Sequence, residues 1–156
     1  MSEAHQLTIM ALPDPELDAQ FYNGVPSKRL VAWIVDVVIV LIIGSLVTVA
    51  FGILTFGFGL FLFLPILLMT GIIYRSLTIA ANSATWGMQF MGIELRGFNG
   101  HRFDLVQAVI HSTIFSFLMA SFIGLILTSV CILTTKRGQG LPDLLLGSTA
   151  INRPTD

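Results

Sequence analysis

KRLVAWIVDVVIVLIIGSLVTVAFGILTFGFGLFLFLPILLMTGIIYR, residues 28–75, decides the class of this protein. From Leu30 to Ile73 its one ionisable side chain is Asp36. A bilayer's hydrocarbon core is about 30 Å thick and takes roughly 20 helical residues, so the run is about two spans long. A second apolar block, Leu105 to Thr135, is broken by Gln107 and His111. The chain has 156 residues, of which 54% are hydrophobic and 11% charged. Soluble domains carry about 25% charged residues, so this surface could not be kept in water. The expected class is an all-α membrane protein. A formal net charge of -1 gives no reason to expect a nucleic-acid partner.

Working outward, residues 1–27 are polar and acidic, and read as an N-terminal tail that meets the membrane at Phe21 and Tyr22. They lack the basic start and apolar core of a secretory signal, so the first helix serves as its own insertion signal. Helices are expected over about 28–50 and 59–79, joined by the glycine-rich turn FGILTFGFG, with a kink or restart at Pro65. Residues 80–104 form a polar loop. In it MGIELRGFNGHRFDL reads as a short cytoplasmic β-hairpin with its turn at Phe98-Asn99-Gly100.

The last block is about 46 Å of helix, more than one span and less than two. Either it is one long helix, or it breaks near Phe122-Ile123-Gly124 into 105–122 and 125–135. All eight basic residues share one side only if this block crosses twice. The expected architecture is therefore a small bundle of two helical hairpins, four membrane helices with both termini cytoplasmic. Three helices is the alternative, and 153–156 is a tail.

Asp36 stands about two turns into an apolar helix, where a charge costs roughly 2.5–3.5 kcal/mol or more. It is either a site for an ion, proton or solute, or a structural carboxyl paired with another helix. In the first case Asp36→Asn should spare assembly and remove function. Arg29, seven residues earlier, returns to within about 20° of the same helix face. Gln107 and His111 share a face of the third helix. His111 could meet Asp36, or simply bond a helix carbonyl. Asp143 suits the N-cap of a short helix, Leu144–Leu146, ended by Gly147. If the closing segment folds back, Asp143 reaches Arg29. Cys131 is alone, which excludes an intramolecular disulfide or a Cys-based zinc site. No nucleophile–base set, phosphate loop or HExxH pattern is present, so no enzyme, cofactor or metal is expected.

These motifs together resemble the RDD family. KRLVAWIVD resembles its opening motif, with Arg29 as the arginine and Asp36 as the first aspartate. SATWGMQFMGIELRGFNGHRF resembles its central segment through Thr85, Gly87 and Gly92. GQGLPDLLLGSTAI resembles its closing motif, with Asp143 as the second aspartate and Gly147 and Thr149 in place. The likeness runs from about Ser27 to Asn152. It departs where the family commonly has a lysine (here Met88), an arginine (His111) and a histidine (Pro142). The resemblance implies a multi-pass protein of the bacterial inner membrane, and transport of a ligand, with sodium/proton exchange in some members. Two readings follow. In one, a small ion or solute transporter works as an oligomer through a polar spine of Arg29, Asp36, His111 and Asp143, supported by Gln107, Thr85 and Gly87. In the other, a non-catalytic accessory or assembly subunit packs against a larger membrane complex.

Overall fold

The structure, a computed structural model, describes residues 12–154. Helix α1 spans Val25–Leu54, starting after Gly24 at φ 70 and with Pro26 in its first turn. Proline suits that place because its missing N–H is one that no helix satisfies there. The buried residues of α1 are Val25, Ala32, Asp36, Gly44, Thr48 and Gly52. They fall at steps of seven, four and eight, a stripe marked by small size rather than by hydrophobicity. Large apolar residues such as Leu46, Ile53 and Leu54 point outward, as expected where lipid replaces water. Without a hydrophobic drive between helices, small residues at the seam let the backbones close in.

The chain turns through a 3-10 segment, Phe58–Leu62, and returns as α2, Phe63–Asn82. Pro65 is the third residue of α2. Its missing N–H falls among the unpaired donors of the first turn, so the expected kink is not required. Helices α1 and α2 are each long and apolar enough to cross a membrane. After α2 come a short helix α3, Trp86–Phe90, and a strand β1, Ile93–Arg96.

The second apolar block is two helices, α4, Leu105–Ala120, and α5, Phe122–Thr134, bent by 115° at Ser121. Asp104 and Gln107 close a capping box at the start of α4. The Ser121 hydroxyl caps α5 by accepting from the Gly124 N–H at 3.0 Å. A Cβ at Gly124 would sit 2.3 Å from the Leu118 carbonyl oxygen, so the tight reversal needs glycine. At 16 and 13 residues the helices are about 24 and 20 Å long, short of a 30 Å core.

Both ends of the pair lie at one end of the molecule. Before α4, the Phe103 N–H donates to Ser83 Oγ at the C-terminus of α2. Beyond α5, the Gly138 carbonyl meets Arg29 at the start of α1. The second apolar block is therefore a bent pair of helices, each shorter than a membrane core, whose two outer ends lie together at one end of the molecule.

The chain ends in a short helix α6, Leu141–Leu146, and a strand β2, Thr149–Asn152. The expected antiparallel sheet forms, but not as a local hairpin. Strand β1 pairs with β2, from Ile93 opposite Asn152 to Arg96 opposite Thr149. The 97–100 turn forms without a second strand after it, because Phe103 drops into the core with Ile79, Ile93, Leu95, Ala108 and Ala150. On the strand's other face Glu94 is fully buried and pairs with Arg96, Arg102 and Arg153. The segment before α1 is docked rather than a free tail. The Asn152 amide donates to the carbonyls of Gln20 and Asn23, and the Tyr22 hydroxyl to that of Pro13. Residues 1–11 of the expected tail, and 155–156, lie outside the described residues.

Candidate functional site

Asp36 is the centre of one cluster. Its Oδ1 accepts from the Tyr74 hydroxyl at 2.7 Å and the Gly87 N–H at 3.0 Å. Its Oδ2 accepts from the Thr85 hydroxyl at 2.6 Å and from Arg75 at 3.4 Å. Thr85 is itself the N-cap of α3, its oxygen accepting from the Met88 N–H. One buried carboxylate thus pins the start of α3 and the polar half of α2 to α1. A Cβ at Gly87 would lie 2.3 Å from the Ala32 carbonyl oxygen and 2.8 Å from Asp36 Oδ1, which explains why only glycine serves there.

Asp143 is the centre of a second cluster and is also fully buried. Arg29 reaches its Oδ2 at 2.6 Å, and the Gly140 N–H donates to the same oxygen at 2.9 Å. His111 Nε2 lies 2.8 Å from Oδ1. The expected contact between Arg29 and Asp143 is present. Asp143 is not the N-cap expected from its sequence, however. It stands three residues after Gly140, the N-cap of α6, and its carboxylate reaches back to that residue's N–H. The helix does end at Gly147, with φ 65. Burial works against ionisation of Asp143, but Arg29, His111 and the Gly140 N–H outweigh it and hold its carboxyl well below the usual carboxylate range.

The four residues of the expected spine therefore divide between two clusters, Arg29, His111 and Asp143 in one and Asp36 in the other. His111 joins Asp143, not Asp36. Thr85 and Gly87 both belong to the Asp36 cluster. Gln107 serves as a cap at the start of α4 and touches neither carboxylate. Two residues of the site have no signal in the sequence beyond their position at the end of an apolar run, Tyr74 and Arg75. Arg75 is inside α2 and 8% exposed. Its guanidinium carbon stacks 3.8 Å from the centre of the Phe115 ring.

Between the first turns of α1 and the bent pair α4–α5 lies a cavity of about 790 Å³. Arg29, Asp36, Arg75, His111 and Thr128 supply its polar end, and Leu30, Trp33, Phe115, Met119, Leu125 and Ile132 its apolar wall. Pockets that hold small molecules are commonly of this size and character. Among the described residues no three His, Cys, Asp or Glu side chains group as a metal site requires.

The sequence profile of the RDD family matches residues 24–147, which includes both clusters. The chain belongs to the RDD family. Comparison with curated proteins and with solved structures gives no match. In this RDD protein the arginine and second aspartate of the resemblance, Arg29 and Asp143, bind each other, while the first aspartate, Asp36, holds the central segment through Thr85 and Gly87.

Proposed function

We propose that this RDD protein is a small carrier of the bacterial inner membrane whose cargo is a solute held in the cavity between α1 and the α4–α5 pair. The cavity is the observation that carries the reading: about 790 Å³, apolar along its wall and charged at its inner end. A cation is a poor cargo for it. Both buried carboxylates accept from several donors in place of an ion. Leu30, Ser129 and Leu133 line the cavity and are themselves exposed, which places a mouth there.

The test is efflux from vesicles of phosphatidylethanolamine and phosphatidylglycerol loaded with a bacterial metabolite extract and followed by mass spectrometry. Vesicles with the protein are expected to release at least one solute that empty vesicles retain. Ser129→Phe, which fills the mouth, should abolish that release. Equal release from all three preparations would overturn the carrier reading. A stoichiometric membrane complex recovered under mild detergent would then favour an accessory subunit.

The charge pattern supports an orientation with both termini cytoplasmic. No Lys or Arg lies between Arg29 and Arg75, so the eight basic residues gather at the end that carries the sheet. Cytoplasmic segments carry such an excess. Reporters inserted at Asn99 and fused at the C-terminal end should both register cytoplasmic. A periplasmic signal from either would reverse or split this topology.

A further inference from the structure

Three arginines from three segments meet the buried carboxylate of Glu94: Arg96 of β1, Arg102 before α4 and Arg153 after β2. A buried carboxylate needs one cation, and Arg96 supplies it. Its Nε and Nη2 donate to Oε1, and its Nη1 to the Gly100 carbonyl. The other two arginines are surplus to that need. Arg102 Nη2 and Arg153 Nε each stand 3.4 Å from Oε2, where a strong charge-assisted bond measures about 2.7–2.9 Å. Among the described residues neither guanidinium has a second acceptor. Their side chains are 59% and 40% exposed. A guanidinium carries several N–H donors and no acceptor, so both offer most of their donors outward.

The two nitrogens share one oxygen, so they are at most twice 3.4 Å, about 6.8 Å, apart. A phosphate whose two free oxygens each accept at about 2.8 Å spans that gap. The surroundings point to its source. Arg102 stands three positions before α4, whose first residues, Leu105 and Val106, are exposed. The Arg153 N–H donates to the Gly92 carbonyl at 2.9 Å, two positions beyond the exposed Phe90. Trp86, on the same short helix as Phe90, is exposed as well. In a membrane protein, arginines and tryptophans beside exposed apolar side chains lie at the depth of the lipid headgroups.

We propose that Arg102 and Arg153 bind the phosphate of an anionic phospholipid, with Glu94 and Arg96 as positioning residues that hold the two guanidiniums side by side. This stands apart from the carrier reading, because none of the four lines the cavity. The bound headgroup joins β1, β2 and the start of α4 to the membrane surface. A soluble phosphate shares this chemistry, and the test separates the two sources.

The full chain in a neutral detergent is titrated with dioctanoyl phosphatidylglycerol, dioctanoyl phosphatidylcholine and inorganic phosphate, and native mass spectrometry counts what is bound. An arginine near an anionic lipid surface contributes about a fivefold gain in affinity. Phosphatidylglycerol is therefore expected to bind about twentyfold more tightly than phosphatidylcholine, whose choline cancels the phosphate charge. Inorganic phosphate, without apolar chains, should bind more weakly still. Arg102→Gln should lower the affinity for phosphatidylglycerol about fivefold, and Arg102→Gln with Arg153→Gln about twentyfold, with phosphatidylcholine unchanged. Arg96 still pairs with Glu94 in both variants, so their elution profiles should be normal. Lys136 is exposed and pairs with Glu16, so Lys136→Gln removes a charge without touching the cluster and should leave binding unchanged.

Equal binding of the two lipids by the wild-type protein would overturn the proposal, whether or not the variants fold. A loss as large from Lys136→Gln would show overall charge at work rather than a site, and would sink it too. Inorganic phosphate binding as tightly as the lipid would assign the arginines to a soluble phosphate. Displacement of the lipid by a hexa-aspartate peptide would assign them to an acidic protein segment. Either result would remove the lipid from the site.

Discussion

Asp36→Asn is expected to lower the melting temperature sharply and to cut the yield of monodisperse protein. Sequence alone suggests the opposite, because an amide has the size of a carboxyl and lacks only its charge. The geometry reverses that expectation. Tyr74, Gly87, Thr85 and Arg75 all donate to the carboxylate. An asparagine has one acceptor oxygen, and its NH₂ group would confront donors on the other side. Two stranded donors at about 1–3 kcal/mol each, together with an uncompensated buried guanidinium, take up much of the 5–15 kcal/mol that holds a typical protein together. Thermal unfolding followed by size exclusion measures this. A wild-type profile combined with lost efflux would return Asp36 to a direct role in transport.

The second large effect is expected at Arg29 and Asp143. Removing one partner of a buried ion pair costs about 3–5 kcal/mol, because the other charge is left behind. Asp143→Asn also weakens the contacts to His111 and Gly140. Arg29→Gln with Asp143→Asn should lose less than the sum of the single changes, with a coupling of about 0.5–3 kcal/mol. Strict additivity would show that the two do not act as a pair. The pH dependence has a definite sign. The Asp143 carboxyl titrates lower in the folded protein than in the unfolded chain. Its contribution is therefore complete above the unfolded value of about 3.9, and falls away as pH drops toward the folded one. The stability gap between wild type and Asp143→Asn should be constant at neutral pH and shrink in acid.

How far the sequence reaches depends on whether the partners are close along the chain. The two spans were legible because an apolar run is a local signal. Asp36 was conspicuous for being alone in one. Arg29 and Asp143 could be matched because each stands at a helix boundary on the basic side. The rest depends on contacts between distant segments. Residues 91–105 carry the pattern of a hairpin, yet β1 takes its partner from Thr149–Asn152, since burial of Phe103 prevails over the turn signal. Arg75 reads only as a charge that follows an apolar run, because nothing local tells that Asp36 and the Phe115 ring wait for it. The break at Ser121 shifts by only a few residues from its expected place, but whether the pair crosses or turns back is decided by which surfaces its ends meet.

The pairing of β1 with β2 also sets a clock. Every donor to Asp36 lies within the first 87 residues, so that latch can close while the chain is still being made. Arg29 must wait for Asp143, and Arg96 for Thr149, 53 positions further on. At synthesis rates of about 5–20 residues/s, that second delay is roughly 3–10 s. During it α1 and α2 are already in the bilayer, while Glu94 and the open edge of β1 stay unpaired with the later strand. With the sheet end cytoplasmic, as proposed, the nascent protein is at its most vulnerable there, within reach of chaperones and proteases, and the emergence of β2 shuts that window.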